Sequence, residues 1–160
     1  VLEAVRLLKA CGVRPKRTIR VVLFANEENG LRGALAYAET HKDEMSLHKA
    51  AIETDGGGFS PQGFSTSLRD ARPRPPHRAT TFLPLQDLGA GAFAAGAGAG
   101  GADIGPLHKA GVPCFGLWVD GQRYFDYHHT AADDLPMVNE RELALGAAVI
   151  AYAASVLADR

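Results

Sequence analysis

The sequence predicts an α/β fold of three layers, with helices on both faces of a central sheet that is mostly parallel or mixed. Two observations support it: apolar patterns of helical period alternate with β-branched and aromatic runs, and Gly or polar turn residues separate them. At 160 residues the chain suits one domain, residues 1–160. Because an apolar helical pattern is already under way at the first residue, we expect the domain to be truncated at its N-terminus.

Seven elements follow from these patterns. The β-branched, aromatic and other apolar runs predict strands at residues 17–26, 49–54 and 112–119. Apolar residues at helical spacing predict helices at residues 1–11, 31–41, 103–109 and 139–157. Asp103 is placed to cap the third helix, and Asn139 with Glu142 forms a capping box at the start of the fourth.

Two stretches carry neither pattern. Residues 69–83 are irregular, and Arg and Pro dominate residues 69–78, a composition that suits neither helix nor strand. This stretch is either a solvated surface loop or the product of a sequencing or reading-frame error. Residues 89–101 are rich in Gly and Ala, but they lack the preceding strand and the following acidic residue of a dinucleotide-binding loop.

Charge and hydropathy exclude several classes of partner. Seventeen basic against eighteen acidic residues leave a net charge of −1, which gives no support for binding nucleic acid or an anionic membrane surface. The longest apolar stretch, residues 143–157, is too short to span a bilayer and indicates a buried helix. Cys11 and Cys114 are expected to be small buried hydrophobes, with a disulfide between them as the alternative.

Potential metal ligands follow each predicted strand. Glu27 and Glu28 end the first strand, and Asp55 follows the second. His128 and His129 follow the third. Because binding sites in open α/β sheets gather at the carboxyl ends of strands, we expect these side chains to lie close together. Carboxylates and imidazoles are the ligands of hydrolytic zinc sites, so their joint placement predicts a site of that kind.

Four segments, in order, resemble the motifs of the clan MH di-zinc peptidases, which include aminopeptidases and carboxypeptidases. Residues 18–33 resemble the segment of the catalytic glutamate, and residues 53–57 resemble the next metal-binding turn. Residues 100–106 and 124–133 resemble the last two motifs. The resemblance covers nearly the whole chain and is weakest at residues 69–83. It implies the zinc-exopeptidase, phosphorylase/hydrolase-like fold.

The resemblance also implies a metal site and a reaction. Glu27 would be the general base, and Glu28 a ligand of one of two zinc ions. Asp55 would bind the other zinc, and His129 would join Glu28. The implied function is hydrolysis of peptide substrates by a metal-activated water, in a secreted or periplasmic enzyme.

Neighbouring residues receive supporting roles. Tyr127, or Tyr124 in its place, could donate a hydrogen bond to the oxyanion, and packing is the alternative role of either. We expect His128 to support the site, Glu53 to buttress it or pair with an arginine, and Asp133 to accept a hydrogen bond within its loop.

The chain also departs from the family. Its members carry a histidine and a metal-bridging aspartate upstream, and residues 1–26 contain neither residue type. We therefore expect this chain alone to bind zinc poorly and to hydrolyse little. Two other functions stay open: a catalytically silent interaction domain of the same fold, and an amide hydrolase or cyclase acting on a non-peptide substrate. We expect the side-chain pocket to be lined partly by residues 56–66 and 89–105, the least regular parts of the chain, so the sequence predicts no substrate preference. It predicts no oligomeric state either.

Overall fold

The computed structural model describes residues 1–68, 82–96 and 98–159 of the chain. Its α-helices are α1 Leu2–Ala10, α2 Arg32–Thr40, α3 Gly105–Lys109, α4 Tyr124–Tyr127 and α5 Glu140–Ala158. Its strands are β1 Ala51–Glu53, β2 Pro61–Thr66, β3 Ala92–Ala95 and β4 Cys114–Val119. Short 3-10 helices occur at Lys42–Leu47, Leu83–Leu88 and Leu135–Met137.

The described strands form one mixed sheet in the order β1-β4-β2-β3. Strand β4 is parallel to β1 and antiparallel to β2, and β2 is parallel to β3. Its inner position places Phe115 opposite Ile52 on one side and Leu117 opposite Phe64 on the other. The predicted α/β class with a mixed central sheet is confirmed.

Each face of the sheet carries its own apolar core, because successive side chains of β4 point to opposite faces. Phe115, Leu117 and Val119 join a cluster that includes residues of α1 and α5. Cys114 points the other way and joins a second cluster with Leu107 of α3. Helices therefore cover both faces of the sheet, which gives the three layers.

Helix α5 packs on the first of these cores. Val149 and Ala153 of this helix are 0% and 1% exposed. The Asn139 side chain caps it by accepting the backbone N–H groups of Arg141 at 3.0 Å and Glu142 at 3.1 Å, so this half of the predicted capping box is confirmed. By length and composition alone the helix could also cross a bilayer, with a mean hydropathy of 1.5. Its packing against α1 and the sheet is that of a core helix.

The strand predicted at residues 17–26 is wrong, since in the described part of the chain these residues join no sheet. Their apolar side chains are nevertheless used: Ile19 packs on the first core and Phe24 on the second, while Leu23 is 70% exposed. β-branched residues favour a strand, but a strand forms only where a neighbour supplies ladder hydrogen bonds. Strand β1, at the edge of the described sheet, pairs with β4 alone.

The sequence patterns did not predict strands β2 and β3. Strand β2 begins at Pro61 and contains Gly63, and β3 is short and mostly alanine. Such residues are depleted in strands. Gly63 is required, because a Cβ atom there would overlap the backbone carbonyl of Ala92 in β3. Residues 69–81, most of the stretch predicted to be irregular, lie outside the described residues.

Two residue-level predictions are also wrong. Asp103 does not cap α3, because Ile104 occupies the N-cap position and no side chain in the described part of the protein caps that helix. Cys11 is exposed where α1 ends, whereas Cys114 is buried. Both cysteines are free thiols, so the disulfide alternative does not hold.

Candidate active site

A cavity of about 520 Å³ lies beyond the carboxyl ends of β1 and β4. Because these two strands are parallel, the loops that follow them start at the same edge of the sheet. The turn before α2 forms a further part of the wall. The cavity is lined by every residue predicted to be catalytic or metal-binding, namely Glu27, Glu28, Asp55, Tyr127 and His129.

The carboxylate of Glu28 and the imidazole of His129 meet in this cavity. Glu28 Oε1 lies 2.8 Å from His129 Nε2, although the two residues are 101 positions apart in the chain. Both side chains are largely exposed, so the pair adds little stability and its significance lies in its position. His129 has a φ of 58°, in the left-handed region that a residue with a Cβ atom rarely adopts. Such conformations are concentrated at functional sites.

Glu27 and Glu28 lie in a turn that runs from Asn26 to Gly33, into the start of α2. Its first residue, Asn26, has a left-handed φ of 66°. The backbone N–H of Gly33 then donates to the carbonyl of Ala25 at 3.0 Å. A Cβ atom at Gly33 would lie 2.5 Å from that oxygen, so only glycine fits. The close approach of Gly33 to Ala25 therefore explains why the turn that carries the two glutamates ends in a glycine.

The surroundings of Glu27 favour its protonated form. Desolvation raises the pKa of Glu27 above its ordinary value, and the negative charge of Glu28 adds to this effect. Asp103 and Asp55 raise the pKa of Glu27 further, while His129 opposes them. A carboxylate with a raised pKa is a stronger base, which suits a group that must take a proton from water.

A second acidic pair, Glu53 and Asp103, interacts electrostatically with Asp55. Glu53 Oε2 accepts the backbone N–H of Ile104 at 2.8 Å, and Gly101 packs directly on the same carboxyl group. Burial raises the pKa of Glu53, against the lowering effect of the hydrogen bond from Ile104. Burial and then the charge of Asp55 raise the pKa of Asp103, whose Oδ1 atom is buried without a hydrogen-bond partner among the described residues.

Three aromatic rings stack beside the Glu28–His129 pair. The ring centroids of Tyr124 and His128 are 4.5 Å apart with an interplanar angle of 22°. Those of His128 and His129 are 3.8 Å apart at 25°. The stack holds the imidazole of His129 from one side, which is the supporting position expected of His128. Burial, followed by the charges of Asp55 and Glu28, raises the pKa of Tyr124 above its ordinary value and so further disfavours ionisation of its hydroxyl.

The donor atoms of the site suit zinc in type. Carboxylate oxygen and imidazole nitrogen, as in Glu28 and His129, are zinc ligands, and no Lys or Arg from the described ranges lines the cavity to neutralise its carboxylates. Asp55 lines the same cavity. Within residues 1–68, 82–96 and 98–159, however, no three His, Cys, Asp or Glu side chains lie close enough together to hold one metal ion. The described residues therefore bring together two groups of the types that bind zinc, with a third such group lining the same cavity.

Part of the cavity wall was expected from the sequence and part was missed. Gly57, Gly58 and Phe59 line the cavity and fall within residues 56–66, which were expected to line the side-chain pocket. No described residue of the range 89–105, expected to line it as well, does so. Sequence reasoning missed Asp134, Met137 and Val138, whose segment carries no signal of a site. Asp133, expected to act within its loop, also lines the cavity.

Comparison with known proteins identifies relatives along almost the whole chain. Residues 1–154 match peptidase family M28. Carboxypeptidase Q of Mus musculus is 37% identical over 158 residues, which cover 98% of this chain and 33% of that protein. Carboxypeptidase Q of Homo sapiens is 35% identical over 161 residues, which cover 98% of this chain and 32% of that protein.

A solved structure gives the same result for the fold. The crystal structure of a peptidase M28 precursor from Shewanella amazonensis SB2B superposes with a TM-score of 0.86 and 36% sequence identity. The match covers 99% of this chain and 35% of that chain. The chain thus spans about a third of the length of these relatives. By sequence and by structure, the chain belongs to peptidase family M28.

Proposed function

We propose that this chain forms the part of a zinc-dependent exopeptidase that carries the general base and part of the metal site. One observation supports the proposal above all others: Glu28 and His129, 101 positions apart in the chain, meet at 2.8 Å in a cavity that Glu27 also lines. The chain's membership of a peptidase family makes peptide hydrolysis the natural use of this arrangement.

Glu28 and His129 would hold one zinc ion, and Asp55 would contribute to the other. Zinc supplies a Lewis acid that lowers the pKa of water and polarises a carbonyl group. Because only two donors converge among the described residues, we expect this chain to bind zinc weakly. The ordered stack of Tyr124, His128 and His129 reduces the rotamer freedom that His129 would otherwise lose on binding a metal.

The remaining steps use the chain's own side chains. Glu27 would accept a proton from the attacking water and deliver it to the leaving amine, and its raised pKa suits both transfers. The hydroxyl of Tyr127 or Tyr124 would donate a hydrogen bond to the oxygen of the scissile carbonyl as negative charge develops on it. Both tyrosines line the cavity, and the pKa of Tyr124 is raised, which keeps its hydroxyl available as a donor.

The experiment that tests this function is the substitution Glu27→Gln, which keeps the size of the side chain and removes its basicity. With excess zinc, the unmodified chain is expected to release nitroaniline from aminoacyl p-nitroanilides slowly, because its described residues supply only part of the metal site. The Glu27→Gln variant should be slower by about 10²- to 10⁴-fold. Its zinc affinity should change little, since Glu27 is not a proposed ligand.

Glu39→Gln is the matched control, because Glu39 is an exposed glutamate paired with Lys42 on the surface. It should leave cleavage unchanged. Equal activity of Glu27→Gln and the unmodified chain would show that Glu27 is not the base. Cleavage confined to non-peptide amides would favour the amide hydrolase. No cleavage of any substrate by chain that has been shown to hold zinc would favour the interaction domain.

The compartment stays a prediction. A secreted or periplasmic location is what the family resemblance implies. Both cysteines are free, so no disulfide adds support for an oxidising compartment.

A further inference from the structure

Glu142, in the first turn of α5, contacts both loops that begin at the cavity edge of the sheet. Its Oε1 atom accepts the hydroxyl of Ser60, in the loop after β1, at 2.9 Å. Its Oε2 atom accepts a guanidinium N–H of Arg123, in the loop after β4, at 2.9 Å. The first loop carries Asp55 and the second carries His129. One carboxylate on a core helix thus joins the two loops that supply proposed zinc donors.

Arg123 begins a compact segment that ends just after His129. It occupies the N-cap position of α4, and the stack of three rings described above lies within the same segment. The turn after α4 is closed by Thr130, whose backbone N–H and hydroxyl donate to the carbonyl of Tyr127 at 2.9 Å and 2.8 Å. These contacts make the α4 segment, residues 123–130, a single compact unit. A displacement of Arg123 would therefore displace His129 as well.

The α4 segment is attached to the rest of the protein at both of its ends. At one end Arg123 pairs with Glu142, and its guanidinium carbon lies 5.1 Å from the ring centroid of Phe59, which is cation–π distance. At the other end His129 meets Glu28, and those side chains are 62% and 70% exposed. The Glu142 side chain is only 22% exposed, and partly buried charges are screened less by salt. The attachment at Arg123 is therefore the stronger of the two.

We propose that Glu142 and Arg123 are positioning residues for His129. The carboxylate of Glu142, on the core helix α5, holds the α4 segment through Arg123 and the loop after β1 through Ser60. His129 is then already in place when a metal ion arrives, so the entropy cost of ordering it on binding is smaller. This inference rests on the proposed function for the role of His129 as a zinc donor.

Native-state hydrogen exchange of the metal-free chain tests the attachment. Arg123→Met removes the guanidinium group and keeps an apolar stem, so the α4 segment should open more often. The backbone amides of His128 and Thr130, which are hydrogen-bonded within the α4 segment, should exchange roughly threefold to tenfold faster. The amide of Val149, in the core part of α5, should exchange at an unchanged rate.

Variants of Glu142 test the other side of the same link. Glu142→Ala removes both contacts of the carboxylate and should accelerate exchange of the His128 and Thr130 amides as Arg123→Met does. The double variant should exchange no faster than Glu142→Ala alone, because both changes break one link. Glu142→Gln keeps one acceptor oxygen and should retain part of the protection. Since Arg123→Met leaves α5 unaltered, it decides the outcome if Glu142→Ala fails to fold.

Glu3→Gln is the matched control, since it breaks the exposed Glu3–Arg6 ion pair on α1 and should leave exchange of the α4 segment unchanged. A merely structural role of Glu142 and Arg123 predicts faster exchange of the Val149 amide as well, together with a lower Tm. That result would overturn the proposal. Unchanged exchange of the α4 segment in Arg123→Met would overturn it too.

Zinc titration by competition with a chelator provides the second readout. Arg123→Met and Glu142→Ala should each weaken zinc binding several-fold, less than the about 10- to 100-fold that follows loss of a group bonded directly to a ligand. In a His129→Gln background, Arg123→Met should cause no further loss, because it acts through His129. A further loss of the same size there, or unchanged zinc affinity in both variants, would refute the positioning role. If the unmodified chain binds no zinc while the exchange pattern holds, the proposed function fails and the attachment stands.

Discussion

The substitution Gly101→Ala should destabilise the fold, because it crowds the Glu53 carboxyl group next to the candidate site. A Cβ atom at this position would lie 2.5 Å from Glu53 Oε2 and closer still to the rest of that carboxyl group. The backbone of Gly101 does not require glycine, because its φ is not in the left-handed region. The overlap can be relieved only if Glu53 moves, and that movement breaks its hydrogen bond from the backbone N–H of Ile104.

The magnitude follows from these two contacts. Overpacking a filled site costs about 1–3 kcal/mol. Loss of a hydrogen bond to a charged group costs about 1.5–3 kcal/mol. Since moving Glu53 relieves part of the overlap, we expect Gly101→Ala to lower the free energy of unfolding by about 2–4 kcal/mol and Tm by roughly 5–15 °C. Urea unfolding and thermal unfolding, both followed by circular dichroism, measure the change.

Two further variants isolate the cause. Gly105→Ala is the matched control, because a Cβ atom there meets nothing within 4 Å and the residue begins α3. It should be neutral or stabilise by up to about 1 kcal/mol. In a double-mutant cycle, Gly101→Ala should cost much less when added to Glu53→Ala, which removes the carboxyl group it overlaps. A Gly101→Ala variant as stable as Gly105→Ala would refute the packing argument.

The remaining predictions concern stability and thiol chemistry. Asn139→Ala should lower the free energy of unfolding, measured by urea unfolding, by about 1 kcal/mol, because alanine cannot cap α5. Asn139→Asp should lower it much less, because aspartate can still accept the backbone N–H groups. Equal losses for the two variants would contradict the capping role of Asn139. Leu85→Ala should lower the free energy of unfolding by about 2–5 kcal/mol, since Leu85 is 1% exposed. Leu47→Ala, at a site 70% exposed, should lower it by about 0.5 kcal/mol or less. A larger loss for Leu47→Ala than for Leu85→Ala would contradict the described core. At pH 8, iodoacetamide should alkylate the exposed Cys11 and spare Cys114. Cys114 is 0% exposed, and burial raises its pKa to about 11, so less of it is thiolate than of an ordinary thiol. Rapid alkylation of Cys114 in the native protein, detected by mass spectrometry, would contradict its burial.

The sequence predicted elements well where local pattern and tertiary environment agree. A strand is predicted at residues 112–119, and the observed strand is Cys114–Val119. It lies inside the sheet, where its alternate side chains pack into both cores. Residues 17–26 are also rich in β-branched and other apolar residues, but strand formation depends on a paired neighbour that composition cannot reveal. Strand β2 shows the converse, since its ladder with β4 overrides a proline and a glycine.

The candidate site was predictable in part from strand ends, since Asp55 and His129 lie in loops after β1 and β4, whereas Glu28 follows residues that join no described sheet. Glu28 and His129 were expected to share one metal, and they lie 2.8 Å apart. The contact of Glu142 with Ser60 and Arg123 could not be foreseen, because Glu142 fits a capping box equally well and the choice depends on where two distant loops come to lie. Side chains that act through long-range packing leave no spacing signal in a sequence.

The most direct test of the account is a zinc titration, by competition with a chromogenic chelator, of the chain and of Glu28→Gln, His129→Gln and the double variant. If the two side chains hold one ion, each single substitution should weaken zinc binding by at least about tenfold, and the double variant should be little weaker than either. His108→Gln, on α3 and away from the cavity, should bind zinc as the unmodified chain does. Unchanged affinity in both single variants would contradict the claim that Glu28 and His129 form a metal site.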